Sequence, residues 1–158
     1  TVSAQKKLGG GVLNELSHEL DYALWFFGNL KIKSAQNYSR NKLKLNVEDL
    51  SIIHAENQKI KLNIILDMLS FYDERKLYIF SEKKTIIWDL LKDNIKIIEI
   101  NKKIIKINKI KKDKFYLQMD SLIKNHFNKR TTVNLKDGYN VVNLINKIKL
   151  VSNKIKKI

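Results

Sequence analysis

The spacing of hydrophobic residues predicts that the chain begins with an amphipathic helix. From Val12 to Phe27 apolar residues recur every three or four positions, and Gly28 follows as a predicted C-cap. The apolar side of this helix comprises Leu13, Leu16, Leu20, Ala23, Leu24 and Phe27. The opposite side comprises Asn14, His18, Asp21 and Trp25. We therefore expect one face to pack on a core and the other to meet solvent or a ligand.

After Gly28 the pattern changes to short alternating runs that are typical of strands. The predicted strands are 30–38, 50–56, 59–69, 75–80, 85–90, 94–100 and 103–110. Asn57-Gln58 is a predicted hairpin turn, and Ile97-Ile98 and Ile104-Ile105 interrupt the period as a bulge or a strand end would. Helical spacing returns over 115–123 and 141–155.

This order of elements predicts an α+β fold with a mainly antiparallel mixed sheet and helices packed on one face. A length of 158 residues, 44% of them hydrophobic, favours a single domain over residues 1–158. The chain has no cysteine, which excludes disulfides, thiolate metal sites and cysteine nucleophiles. The absence of cysteine also favours a cytoplasmic setting. No apolar run approaches the ~20 residues that span a bilayer, so we expect a soluble protein.

A net charge of +15 raises the question of nucleic-acid binding, and the excess lies in the second half of the chain. Arg130 is the only arginine there, although arginine makes most bidentate contacts to guanine and phosphate. The lysines alternate with isoleucines and are better explained as the solvent-exposed face of amphipathic helices and strands. A lysine-rich nucleic-acid-binding or dimerisation module without enzymatic activity is the alternative interpretation.

The strongest candidate for catalytic chemistry is the first helix. It follows Gly9-Gly10-Gly11 and carries His18 and Asp21 three residues apart. A histidine can take a proton from a sugar hydroxyl, and a carboxylate one turn away can orient it. The alternative is a solvated face on which His18 and Asp21 bond to each other. The glycine triplet lacks the Lys-Ser/Thr of a P-loop and is better explained as a junction loop than as an anion site.

The other candidate groups favour structural roles. His54 and His126 have no spacing typical of metal ligands, and Ser17-His18 lacks the G-x-S-x-G context of a serine hydrolase. The acidic pairs Glu48-Asp49 and Asp73-Glu74 lie near predicted strand ends, where solvated turn carboxylates are commoner than glycosidase pairs.

The stretch GGGVLNELSHELDYALWFFG, residues 9–28, resembles the helix that opens the C-terminal domain of the Gfo/Idh/MocA oxidoreductases, the family of glucose-fructose oxidoreductase and inositol dehydrogenase. Four later segments resemble the same domain in the same order. They are Asn46-Val47-Glu48-Asp49, Glu56-Asn57, Ile87-Trp88-Asp89-Leu90 and, before the last helix, Leu135-Lys136-Asp137-Gly138. The resemblance covers roughly residues 9–158.

The resemblance implies an N-terminal Rossmann domain that binds NAD or NADP and is absent from this chain. It implies that the present domain backs the pocket for a sugar, nucleotide sugar or cyclitol and forms homo-oligomers through its sheet. His18 matches the family's histidine that acts on the substrate hydroxyl, which makes it the predicted catalytic residue. Asp21 matches the following acidic position of the family. Asn14, with Glu15 beside it, stands where many members have Asp. Asp21 and Asn14 are therefore predicted to bind substrate.

Two family elements are missing from the sequence. The family's catalytic lysine, in a Glu-Lys-Pro motif, belongs to the first domain, and this chain has no proline. It also has no G-x-G-x-x-G dinucleotide fingerprint. Because the chain starts at Thr1 and lacks both elements, we expect it to be a fragment that is inactive by itself.

Overall fold

The computed structural model describes residues 5–40, 46–107, 113–127 and 134–158. After a short 3-10 turn at Lys6–Leu8, the helices are α1 (Val12–Glu15), α2 (Ser17–Phe27), α3 (Lys114–Phe127) and α4 (Leu135–Ser152). The strands are β1 (Lys31–Ser39), β2 (Leu50–Glu56), β3 (Lys61–Asp67), β4 (Lys76–Phe80), β5 (Lys84–Asp89), β6 (Asn94–Glu99), β7 (Ile104–Ile107) and β8 (Ile155–Lys157). The predicted order of helix, strands and two helices is confirmed, except that the first helix is divided and β8 follows the last.

The chain forms two compact units, residues 1–70 with 133–158 and residues 71–132. The first holds a sheet of order β3-β2-β1-β8, and the second a sheet of order β4-β5-β6-β7. All pairs are antiparallel except β1 with β8, so the α+β class and the mainly antiparallel, mixed pairing are confirmed. The strands belong to two sheets rather than one. A single domain over residues 1–158 stays a prediction.

The core of the first unit lies between its helices and one face of its sheet. The sheet contributes Ala35, Ile53 and Leu66, and the helices contribute Val12, Leu13, Leu20, Val141, Leu144, Ile145 and Ile148. Leu16 and Leu24 pack against this cluster, while Ala23 and Phe27 pack in a smaller one. The predicted apolar side of the first helix is therefore the buried side. Burial of such side chains contributes about 1.5–3 kcal/mol each.

The helix predicted from Val12 to Phe27 is two helices, which corrects the sequence interpretation. Leu16 leaves the helical region at φ −101° and ψ 26°, so α1 ends and α2 begins beside it. The side chains of Val12 and Leu13 are fully buried, as is Leu20. A kink lets both short segments bury apolar side chains in one core. Gly28 is the C-cap of α2, as predicted, and its amide donates to Leu24 O at 2.8 Å.

Three further local predictions change. Ile155 belongs to β8 rather than to the last helix, because Asn153 at φ 58° ends α4 and lets the chain pair with β1. The Ile-Ile pairs of β6 and β7 stand in continuous register, and the irregularity lies instead in β1 between Ile32 and Ser34. Residues 135–138 form the first turn of α4 rather than preceding it, with a capping box between Asn134 and Asp137. The predicted strand end at 108–110 lies outside the described residues.

An ionic cluster joins the ends of β1, β2 and β3. Arg40 Nε donates to Asp49 Oδ1 and the Arg40 amide to Asp49 Oδ2, both at 2.8 Å. The guanidinium also forms a two-pronged pair with Asp67. Asp49 is fully buried and the Arg40 side chain is 18% exposed. Because removal of one partner leaves a buried charge uncompensated, such a cluster strongly fixes the backbone that carries it.

The pKa of Asp67 sets a testable acid dependence. Burial raises this pKa, but hydrogen bonds from Arg40 and the Leu69 amide, with the charge of Arg40, lower it below the ordinary 3.8. The unfolded chain therefore binds a proton at higher pH than the folded one, so the stabilisation is complete above pH about 4 and is lost as pH falls through the folded pKa. Urea denaturation between pH about 6 and 2 should show the loss.

The matched variant is Asp67→Asn, which should be less stable at neutral pH and lose less stability on acidification than the parent chain. Asp73→Asn changes an exposed aspartate of the second unit and serves as the control. An Asp67→Asn variant with the parent's acid dependence would show that this carboxylate does not carry the effect.

Candidate active site

The glycine loop before α1 is closed by its own hydrogen bonds. Gly10 donates to Gln5 O at 3.0 Å, and Asn14 Nδ2 donates to Gly9 O at 2.7 Å and to Gly10 O at 3.3 Å. Gly9 and Gly11 have φ values of 79° and 112°, which a side chain would disfavour. Asn14 thus fastens the loop to the helix that follows, and its amide nitrogen is directed at backbone.

Glu48 fixes this loop from the strand side. Its carbonyl accepts from the Val12 amide at 2.9 Å, and a Cβ on Gly11 would lie 2.5 Å from Glu48 Oε1. Glu48 is 5% exposed and its Oε1 has no hydrogen-bond partner among the described residues. The prediction of solvated turn carboxylates is therefore wrong for Glu48-Asp49, because both pack beneath helix α1 and the strand ends. Asp73 and Glu74 are exposed, as predicted.

His18 lies on the outer side of α2, with 49% of its side chain exposed. Its Nε2 is 3.1 Å from Oε1 of Glu19, so the carboxylate that contacts it is its neighbour rather than Asp21. Asp21 is half-buried one turn further along the helix, and Trp25 is 77% exposed. The imidazole is accessible to a ligand, and the side carrying His18, Asp21 and Trp25 faces away from the core, as the spacing predicts.

The residues of this loop do not fit the phosphates of a dinucleotide. A phosphate cradle needs free backbone amides and space for an anion. Here the Gly10 and Val12 amides already donate to carbonyl groups, and the Glu48 carboxylate occupies the space beside Gly11. In the described part of the chain no three His, Asp or Glu side chains gather as metal ligands would. Also within those residues, no helix is long and apolar enough to cross a membrane.

Sequence reasoning missed the cluster of Arg40, Asp49 and Asp67. Arg40, Arg75 and Arg130 are the arginines of a chain that otherwise uses lysine. The available signal was therefore Arg40, an isolated arginine that precedes Asp49 and Asp67 near the ends of predicted strands. His54 bonds across strands to Asn63, Nδ1 to Oδ1 at 2.6 Å, and the side chain of His126 lies outside the described residues.

Comparison with known proteins gives matches of structure alone. No protein-family model and no curated protein sequence matches this chain. Among solved structures, UDP-N-acetylglucosamine 3-dehydrogenase GnnA from Acidithiobacillus ferrooxidans superposes with a TM-score of 0.77 at 15% identity, over 90% of this chain and 47% of that one. An inositol dehydrogenase homolog from Azotobacter vinelandii, complexed with NAD+, gives 0.69 at 10%, over 90% and 46%.

A point mutant of KijD10, a 3-ketoreductase from Actinomadura kijaniata in complex with TDP-benzene and NADP, gives a TM-score of 0.79 at 12% identity. The match covers all of this chain and 50% of that one. The fold is that of the C-terminal domain of the Gfo/Idh/MocA-type oxidoreductases. The predicted resemblance is confirmed at this level, and the chain spans about half the length of the oxidoreductases it matches.

Within the first unit the contact between Gly11 and Glu48 can be tested by substitution. Gly11→Ala should lower the free energy of unfolding by about 1–3 kcal/mol, because the backbone is strained for alanine and the new methyl meets the Glu48 carboxylate. Gly138→Ala is the matched control: Gly138 lies in α4 with open space around it, so alanine should stabilise by about 0.5–1 kcal/mol. Thermal denaturation of the two variants measures both. Equal effects of the same sign would contradict the proposed contact.

Proposed function

We propose that this chain is the C-terminal, substrate-side domain of an NAD(P)-dependent oxidoreductase. The parent enzyme would transfer hydride between the nicotinamide and a hydroxyl-bearing carbon of a sugar, nucleotide sugar or cyclitol. The observation that carries this proposal is the half-exposed imidazole of His18 on the outer side of α2, within a fold shared with dehydrogenases and a ketoreductase. The neighbours' named substrates and cofactors include a UDP-sugar, NAD+ and NADP.

His18 is proposed to exchange a proton with the substrate hydroxyl as hydride leaves or joins the same carbon. An imidazole can both accept and donate a proton, so it can act in either direction. Glu19 stands beside Nε2 at 3.1 Å and can stabilise the protonated ring. Asp21 is proposed to accept a hydrogen bond from a second hydroxyl of the substrate. Asn14 is proposed to bind substrate through the oxygen of its amide, since Nδ2 is engaged by the glycine loop.

The cofactor, NAD or NADP, is proposed to bind to a Rossmann domain of the parent protein that lies outside this chain. The closed glycine loop and the buried Glu48 beside it support this division, because they leave no phosphate cradle here. The isolated chain is accordingly expected to be inactive, and we expect the parent enzyme in the cytoplasm. When bound, the cofactor supplies the hydride chemistry, while the residues of this chain hold the substrate and move its proton.

In the parent enzyme, His18→Ala should lower turnover about 10²-fold or more, the usual value of a general acid/base group. The affinity for the nicotinamide cofactor should stay the same, because the cofactor contacts the other domain. Steady-state kinetics with varied substrate, combined with a cofactor titration, separates the two effects. His54→Ala removes an exposed histidine of β2 and is the matched control.

Unchanged turnover in His18→Ala would remove the proposed proton-transfer role. A rise in the cofactor's Kd of the same size as the loss of turnover would also speak against it, since it would indicate disruption of the domain rather than of a proton transfer.

The parent enzyme is also proposed to form homo-oligomers through a sheet face, and the sheet of the second unit offers a suitable one. On one of its faces, beside the cross-strand pair Lys84 and Glu99 at one end, alternate positions of β4 to β7 place eight apolar side chains. They are Leu77, Ile79, Ile86, Trp88, Ile95, Ile97, Ile105 and Ile107. None of them is fully buried by the described residues. Apolar faces of this extent are typical of association surfaces.

Sedimentation velocity should show dimers or larger species whose population rises with concentration. Ile107→Lys places a charge on this apolar face and should shift the population to monomer. Ile104→Lys is a matched control, since Ile104 is similarly exposed on the same edge strand but lies on the opposite face. A monomer at high concentration would contradict the proposed self-association, and equal effects of both variants would contradict the choice of face.

A further inference from the structure

The helical segment that carries His18 lies in the longest stretch of the chain without Lys or Arg. No Lys or Arg occurs between Lys7 and Lys31, although the protein has a net charge of +15. The charged residues within that stretch are Glu15, Glu19 and Asp21, and all three are acidic. A local negative field in a strongly basic protein repels anionic ligands and attracts cationic ones.

Three carboxylates lie near His18 in the sequence. Glu15 is exposed at the end of α1, before the kink at Leu16. Within α2, Glu19 contacts the imidazole and Asp21 follows His18 by one turn. The hairpin turn at Asn57, whose Nδ2 donates to Phe27 O, carries Lys59 at the C-terminal end of α2, away from His18. A carboxylate accepts hydrogen bonds from hydroxyl and ammonium groups and offers nothing to a phosphate.

Trp25 supplies the second feature of this surface. Its side chain is 77% exposed, which is unusual for the largest of the apolar residues. Trp25 follows His18 by seven residues, which places it two turns away, about 20° off the same line and about 10.5 Å along the axis. The imidazole and the indole therefore lie on the same outer side of α2, with Asp21 between them along the helix.

The indole is partly ordered before any ligand binds. The ring of Phe26 lies 4.8 Å from that of Trp25, centroid to centroid, at an interplanar angle of 59°. Tilted aromatic pairs of this kind are favourable and restrict the motion of both rings. A flat surface held in place costs less entropy when a ligand stacks on it. Aromatic faces attract cations, and they pack well against apolar surface.

We infer that the substrate site beside His18 takes a phosphate-free cyclic polyol, uncharged or bearing an amine, which stacks on the indole of Trp25. This inference rests on the proposed function and narrows its three substrate classes to free sugars, amino sugars and cyclitols. The hydroxyl that reacts lies at His18, other hydroxyls or the amine bond to Asp21 and Glu15, and the ring packs against Trp25. A nucleotide sugar would bring its diphosphate against the same carboxylates.

The test is a titration of the 158-residue chain with glucosamine, myo-inositol and UDP, followed by the indole N–H resonances of Trp25 and Trp88 in NMR spectra. Trp88→Phe removes one of the two resonances and so assigns both; Trp88 lies in β5 of the second unit. Glucosamine and myo-inositol should shift the Trp25 resonance, glucosamine at several-fold lower concentration, and UDP should leave it in place.

A variant that removes one negative charge distinguishes the attraction of a cationic ligand by the carboxylates from the stacking of the ligand on Trp25. Asp21→Asn should raise the Kd for glucosamine about five- to tenfold and change that for myo-inositol much less, because the inositol has no charge. Glu82→Gln, an exposed glutamate of the second unit, is the control and should change neither. Trp25→Ala should weaken both probes about tenfold.

A shift of Trp25 by UDP at lower concentration than by glucosamine would overturn the inference, and so would the absence of any shift with the two polyols. Neither result would decide the proposed function, which is tested separately by the turnover of the His18→Ala variant of the parent enzyme. Conversely, normal turnover in that variant together with polyol-specific shifts would remove the proposed reaction and keep the polyol site.

Discussion

The structure of the first unit depends on the buried charge of Asp49. A carboxylate with no exposed surface is stable only if it is paired, and Arg40 pairs it through both its guanidinium and its backbone amide. The same guanidinium holds Asp67, so one side chain joins the ends of three strands. The Asp49 amide also donates to Tyr38 O, and its carbonyl accepts from Met68. The position of residue 48 follows from this.

The geometry of the candidate site depends on this anchor, the cluster of Arg40, Asp49 and Asp67. Glu48 precedes the fixed Asp49, accepts the Val12 amide and fills the space beside Gly11, which sets where α1 begins. The kink at Leu16 then directs α2 so that Leu20 enters the core while His18 remains outside. The path from the anchor to His18 runs through the peptide bond to Glu48, the contacts of Glu48 with Val12 and Gly11, and the backbone of α1 and α2. The imidazole is therefore placed by the strand ends rather than by its own helix alone.

Much of the fold was readable from the sequence because it follows from local periodicity. The buried side of the first helix, the β2 to β3 hairpin at Asn57-Gln58 and most strand limits agree with the structure, since each depends on residues close in sequence. The kink at Leu16 and strand β8 were not readable. The first depends on which core Val12 and Leu13 enter, and the second on pairing with β1, more than a hundred residues earlier.

For the candidate site, the sequence by itself determined which side chains stand on the outer side of the helix, namely His18, Asp21 and Trp25, because a helix repeats every 3.6 residues whatever surrounds it. Only the tertiary structure decided that Glu48 and Asp49 are buried, that Asn14 is engaged by the glycine loop, and that Arg40 joins three strands. Burial and long-range pairing of charge depend on residues far apart along the chain, and local pattern carries no record of them.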